Sequence, residues 1–397
     1  MTTPNLPLSG VRVVEMTHMV MGPTCGMILA QLGAEVIKVE PPAGDKTRSL
    51  GGMGISFFPL FNRGKRSVVL DFAKAEDRET MHRLLASADV FLENFRDGQL
   101  EKQGLGAKEL HRKYPQLIVC GHKGFLSGPY EHRPALDEVV QMMSGLAAMT
   151  GTQERPQRVG SSANDIMGGM FGAISILAAL YQKRGAAEAT DRGGADIRIG
   201  LFENCLFLVA QHMVEFEMTG NRPRSMPERE HAWPIYDIFE TEGGERIFIG
   251  VVTEGHWQSF CREFGMQEFL DDPALRTTTD RILARSRIIP RAAEIIKRWK
   301  APELSATLDR LNICFSPINR PEDLFDDPHV LREGGLVNNF NANGEPFRVP
   351  ALPIEWNGAN IGEGLKVPGL GADTEAVRGE LEAKEFPATA KTTARLA

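Results

Sequence analysis

Short apolar runs alternate with amphipathic stretches through the first half of the chain. Val11 to Met16 reads as an apolar strand, Gly22-Pro23 opens a helix to about Gln31, and Ala34 to Glu40 is a second strand that ends on an acid. Strand, turn, helix, strand is a βαβ unit. Further strand-like runs at Ser67 to Asp71, Asp89 to Glu93 and Leu117 to Gly121 are separated by helical patterns such as AEDRETMHRLLASA. This alternation predicts an α/β fold with a Rossmann-like, doubly wound parallel sheet. Helices are predicted at about Leu136 to Met149 and Ile166 to Arg184, and ADIRIG reads as another strand ahead of a long apolar helix from Leu201 to Met218.

The pattern then changes. GNRPRSMPEREHAWP, residues 220–234, is rich in proline and charge and reads as a linker. Tyr236 to Thr241 and Glu245 to Val252 flank Glu242-Gly243-Gly244 as a β-hairpin, with helices following to about Leu311. The expected organisation is a large Rossmann-like domain begun by residues 1–220, a smaller α+β domain over 230–320, and a segment 321–397 that returns to the large domain.

Composition changes this picture little. The 397 residues are 42% hydrophobic and 24% charged, as in ordinary globular enzymes. A net charge of −7 argues against nucleic acid as the main partner. MTTPNLPLSG has no signal-peptide pattern, and the apolar stretches read as too short and too interrupted by glycine to span a bilayer, so a cytoplasmic protein with no membrane partner is expected. Five scattered cysteines without a CxxC pair suggest buried reduced thiols and no metal site.

Candidate chemistry is distributed. The acid that ends the second strand suits a dinucleotide site, but THMVMGPTCG lacks the glycine fingerprint. Lys38, Arg48, Lys65, Arg66, Arg96, Lys102 and Lys123 fall in or near the loops after strands, where they are either solvated charges or a distributed cradle for phosphates. His18, in the first strand-to-helix turn, is either a packing residue or a site residue. NDIMGGMFG places Asp165 at a predicted helix start with Gly168 and Gly169 behind it. That pattern fits a helix cap with tight packing, and it also fits a reactive carboxylate.

Several segments, in order, resemble the class III coenzyme A transferases, the family of formyl-CoA:oxalate and carnitine CoA-transferases. They are LSGVRVVEMTHMVMGP, LGAEVIKVEPPAGDKTR, NRGKRSVVLDF, ADVFLENFRDGQLEKQG, the KGF at 123–125, QMMSGLAAMTG, NDIMGGMFGAISILAAL, LNICFSPINRPEDLFDDPHV and LGADTEAV. The resemblance implies that Asp165 is a nucleophile forming aspartyl anhydrides and an aspartyl-CoA thioester. Such intermediates need oxyanion donors, expected from backbone N–H groups around Gly168 and Gly169, and His18 is kept as a residue near the site. The resemblance also implies CoA contacts at Met21, Leu70, Phe72, Ala73, Asn94, Phe95, Arg96, Lys102, His122 and Lys123. Coenzyme A or acyl-CoA is then a substrate, and no tightly bound cofactor is expected.

The chain departs from the family pattern at Val20 and Pro41, where some members carry Gln and Arg, and it lacks a tetraglycine loop, which makes oxalate an unexpected acceptor. The resemblance implies an interlinked homodimer. It also keeps two alternatives open, an α-methylacyl-CoA racemase and a non-catalytic CoA-binding protein. Against the racemase, Leu136 stands where its histidine falls, which leaves only Asp137 or His122 as substitute bases. The expected reaction moves CoA from an acyl-CoA to a carboxylic acid such as succinate or a C5 dicarboxylate, held by Arg or Lys of the 220–234 linker.

Overall fold

In the computed structural model of the chain, the apolar runs of the N-terminal half pair as one six-stranded parallel sheet. Its strands are β1 (Arg12–Met16), β2 (Glu35–Glu40), β3 (Arg66–Val69), β4 (Val90–Glu93), β5 (Ile118–Lys123) and β6 (Asp196–Gly200), in spatial order β3-β2-β1-β4-β5-β6. The structure describes residues 6–152, 154–185 and 193–383. The chain divides into two compact units, one of Met1–Pro227 with Leu331–Ala397 and the other of Glu228–Val330.

Helices cover both sheet faces, which is why the strands read as nearly continuous apolar runs. On one face Val13, Val36, Leu92 and Cys120 pack with α1 (Met21–Gln31) through Cys25 and Leu29, and with Ala173 and Ile176 of a later helix. On the other face Val14, Ile37, Val68 and Phe91 pack with α2 (Ala75–Ala86) through Met81, Leu84 and Leu85. Val377 and Leu381 join that second core from the C-terminal helix Thr374–Ala383.

The stretch predicted as one helix from Leu136 to Met149 is two, α3 (Asp137–Met143) and α4 (Leu146–Thr150). Gly145 breaks it by adopting φ 85°, a conformation that costs glycine little. The next helix, α5 (Ala163–Gly185), begins three residues before its predicted start, so Asp165 lies inside the first turn and not ahead of it. With 23 residues, α5 is long and apolar enough to cross a membrane by length and composition, which corrects the reading that no stretch reaches that length. Here it is the crossover helix between β5 and β6, packed on α1. α6 (Leu201–Thr219) follows and ends at Gly220.

In the second unit, Ile235–Glu240, Arg246–Val251 and Cys314–Pro317 form an antiparallel sheet, the first two as the predicted hairpin. Its core includes Ile249, Trp257, Phe260 and Leu304. Four of the five cysteines are buried; Cys314 is exposed at the start of its strand, against expectation.

Candidate active site

A helix that joins two parallel strands runs back against them and starts beyond their carboxyl ends, so α1 and α5 both start at that edge. The strand order reverses between β1 and β4, which leaves a crevice beyond their ends. His18, just after β1, and Asn94, just after β4, meet there. The His18 N–H donates to Asn94 Oδ1 at 3.0 Å, and Asn94 Nδ2 donates to the His18 carbonyl at 2.7 Å. The Phe95 ring meets His18 edge-on with centroids 5.7 Å apart. Met19, next in the turn, has φ 65°, a strained value for a side-chain-bearing residue and one that clusters at functional sites.

A cavity of about 430 Å³ opens at this point and is lined by His18, Asn94, Phe95, Arg96, His122 and Lys123, with Leu136 at its margin. Six expected site residues are thus brought together. Lys123 is held by Glu93 at 2.7 Å and Asp97 at 3.3 Å. Burial holds the His18 imidazole below its usual pKa, partly offset by the charge of Asp45.

Other expected contacts lie elsewhere. Leu70 is fully buried in the core beside Met81, so its side chain is closed to a ligand. Phe72 is half-buried against that core and Ala73 is exposed; both follow edge strand β3, two strands away from β1. Lys102 is exposed outside the cavity lining. Met21 points into the seam between α1 and α5.

The basic cluster is also redrawn. Lys38 and Lys65 are buried and committed inside the domain: Lys65 Nζ lies 2.7 Å from Glu15 Oε2 and Lys38 Nζ 3.0 Å from Asp45 Oδ2. Burial lowers the Lys65 pKa to about 8 despite the Glu15 charge. Arg48 is spent on Glu40 at 2.7 Å and Arg66 on Glu35 at 2.6 Å and Glu380 at 2.8 Å. Arg96 and Lys102 carry no ion pair among the described residues, and both are exposed.

Asp165 is the perturbed carboxyl of this edge. Burial pushes its pKa up to about 7, the Asp137 charge adds to the rise, and the Arg158 guanidinium opposes it. Asp137 is itself raised by burial and held back by Gln141, by Arg158 and by the backbone N–H of Asp165. The Cys205 thiol on α6 is buried near both carboxylates and pushed up to about 11, mainly by burial. A half-buried carboxyl at a helix N-terminus, flanked by one acid and one guanidinium, is suited to nucleophilic work.

The expectation for Gly168 and Gly169 needs correction. Both lie within α5, where their N–H groups belong to the helical ladder and are not free to hold an oxyanion. Their missing side chains serve packing. A Cβ on Gly169 would lie 2.6 Å from Thr24 Cβ and 2.7 Å from the Met21 carbonyl, and one on Gly168 would meet Met21 and stand 2.5 Å from Asn204 Nδ2. Gly172 makes room in the same way for the His122 ring, at 2.5 Å, and for Cys25 at 3.0 Å. Buried there, His122 has its pKa driven down to about 4, which makes its imidazole a weak base for exchanging protons with a substrate.

Residues that sequence reasoning missed are Gln141, Arg158 and Asn204, while Asp137 was read only as a substitute base. Asp137 and Gln141 stand four apart on a helix, a spacing that signals a side-chain pair, and their bond measures 2.7 Å. Arg158 has no such signal, since it belongs to an irregular stretch.

The fold agrees with the comparisons. The sequence model of CoA-transferase family III matches residues 8–374, and the chain belongs to that family. It is 30% identical over 91% of its length to succinyl-CoA--D-citramalate CoA-transferase of Chloroflexus aurantiacus, covering 92% of that protein. It is likewise 30% identical over 96% of its length to succinate--glutarate CoA-transferase of Agrobacterium fabrum, covering 98% of it. Among solved structures, a CAIB/BAIF family protein from Brucella suis superposes with a TM-score of 0.83 at 33% identity, over 95% of this chain and all of that one. The protein is a CoA-transferase, with CoA thioesters as substrates.

Proposed function

We propose that this enzyme moves CoA from an acyl-CoA to a small dicarboxylic acid through covalent intermediates on Asp165. The observation that carries the reading is the position of Asp165 in the first turn of α5, at the sheet edge that also holds the His18–Asn94 crevice. Its carboxylate attacks the thioester carbonyl, the C–S bond breaks, and the CoA thiolate leaves a mixed anhydride. The thiolate then attacks the aspartyl carbonyl and expels the donor acid, giving an aspartyl-CoA thioester. The acceptor carboxylate displaces the thiolate to form a second anhydride, and thiolate attack on the acceptor carbonyl releases the new acyl-CoA and the free Asp165 carboxylate.

Charge on each tetrahedral intermediate is favoured by the positive end of α5. The cavity by His18, Asn94 and Lys123 suits the pantetheine and phosphate parts of CoA. A C4 or C5 dicarboxylate as acceptor is supported by the acids that the two relatives' names give, D-citramalate and glutarate, with succinate or its thioester as their counterpart.

The test is to incubate the enzyme with succinyl-CoA, trap with hydroxylamine or borohydride, and map the modified peptide by mass spectrometry. Modification at Asp165 and loss of transfer in Asp165→Ala are expected; full transfer by that variant overturns the mechanism.

A homodimer is part of the proposal. Ile174 and Tyr181 of α5 and Phe207, Met213 and Met218 of α6 are all more than half exposed, an apolar surface that a second copy would cover. Light scattering on the eluting protein should give twice the 43.8 kDa chain mass.

A further inference from the structure

Gln141 is fully buried on α3, where an unsatisfied amide is costly. Both ends of it are used. Its Nε2 donates to Asp137 Oδ2 at 2.7 Å, and its Oε1 accepts the Val159 N–H at 2.9 Å. Arg158 closes the circuit: Nη2 stands 3.3 Å from the same Asp137 oxygen, while Nε donates to the Val159 carbonyl at 3.2 Å and Nη2 to the Ser161 carbonyl at 3.0 Å. The next residue, Ser162, accepts the Ile166 N–H at 2.9 Å and so starts the helical ladder of α5. A closed polar ring therefore holds the segment that sets where α5 begins, and Asp165 is the third residue of that helix.

The ring also settles the charge around Asp165. Around Asp165 stand Asp137 and, 3.9 Å from Arg158 Nη1, Glu138 on α3, and the Cys205 thiol on α6; the neutral His122 on β5 and the Cys25 thiol on α1 meet the same helix two turns on, at Gly172. Among these groups Arg158 carries the positive charge.

We propose that Gln141 and Arg158 are positioning residues of the transfer reaction: their ring with Asp137 and Val159 fixes the start of α5, and the Arg158 guanidinium balances the Asp137–Asp165 carboxylate pair. The inference rests on Asp165 being the nucleophile. A ring that only supported the fold would change stability and leave the titration of Asp165 alone.

The experiment follows the pH dependence of Asp165 modification by a water-soluble carbodiimide, which labels protonated carboxyls, by mass spectrometry, alongside succinyl-CoA:glutarate transfer. Arg158→Gln is the main variant because its side chain is partly exposed and the fold does not depend on burying it. It should raise the half-point of Asp165 labelling by about one pH unit, a tenfold change in proton affinity, and move the acid limb of kcat with it. Arg158→Lys should recover most of that shift. Gln141→Leu should lower kcat about tenfold or more while KM for succinyl-CoA stays within about twofold, the mark of an interaction made in the transition state. An unchanged half-point in Arg158→Gln, or unchanged kcat in folded Gln141→Leu, overturns the inference. Transfer activity retained in Asp165→Asn instead removes the nucleophile reading itself, so the two failures are told apart.

Discussion

The Asp137 carboxylate stands against the first turn of α5, where the Asp165 backbone N–H draws its pKa down while its own charge pushes the Asp165 side chain up. One helix turn thus carries both a donor to the neighbour and the group that the neighbour perturbs. Such a pair titrates jointly, and its apparent values belong to both acids.

Activity should depend on pH through this pair. In the proposed mechanism the attacking form of Asp165 is ionised, and burial raises its pKa to about 7, so transfer should be full above that value and fall as pH drops through it. Asp137→Asn removes the negative charge, which lowers the Asp165 pKa. The acid limb of kcat should move to lower pH by about one unit, whatever the rate at the plateau.

The same shift has an opposite sign for stability. Asp165 has a folded pKa raised from 3.8 to about 7, so its contribution is fully present below pH 4 and is lost as pH rises through 7. Replacement by Asn imitates the protonated form. Asp165→Asn should therefore be more stable than the native protein at pH 8, by roughly 1–3 kcal/mol in urea unfolding, with the difference vanishing near pH 4.

Gly169→Ala tests the seam between α1 and α5. The added methyl falls 2.6 Å from Thr24 Cβ and 2.7 Å from a backbone carbonyl, so overpacking of about 1–3 kcal/mol should exceed the helix-propensity gain of about 1 kcal/mol. A lower Tm and a slower enzyme are expected. Gly379→Ala is the control: it lies in the C-terminal helix with nothing within 4 Å of its added Cβ, and it should be neutral or stabilising.

Lys65→Met should be among the most damaging changes away from the cavity. Glu15 is fully buried and receives Lys65 Nζ at 2.7 and 2.9 Å, so removing the lysine leaves the carboxylate with only Lys38, 3.5 Å away, and the Thr17 hydroxyl, a loss of about 3 kcal/mol. The double variant with Glu15→Gln should regain part of that loss in denaturant unfolding.

Asn94→Ala removes both hydrogen bonds that hold the His18 backbone. Calorimetry should show weaker CoA binding, and KM for acyl-CoA should rise about tenfold with a smaller change in kcat.

Much of the sheet is legible in the sequence because both of its faces are covered. Strands such as VRVVEM and VFLE therefore carry apolar residues at nearly every position. Where the reading went astray, the missing information was long-range. Lys38 and Lys65 sit where phosphate-binding cations would, and only the pairing of β1 with β2 and the return of residue 65 show that Glu15 is waiting for them, 23 and 50 residues away. Gly168 and Gly169 were rightly read as places of close approach, but what approaches is α1. Arg158 is invisible for another reason: the stretch before α5 has no periodicity, and its order comes from the buried amide of Gln141 on another helix, whose spacing from Asp137 marks a pair but not what it holds.

The glycine seam of α5 has a consequence for how such an enzyme diversifies. At Gly168, Gly169 and Gly172 there is no room for even a methyl group, so α5 lies directly against α1 and His122, and the turn bearing Asp165 is packed on the helix that follows the turn bearing His18. In the proposed mechanism that contact ties the cavity for the thioester to the carboxylate that takes its acyl group. New acceptor acids must therefore be accommodated by segments outside that block, which lets substrate choice drift while the pivot of the chemistry stays fixed.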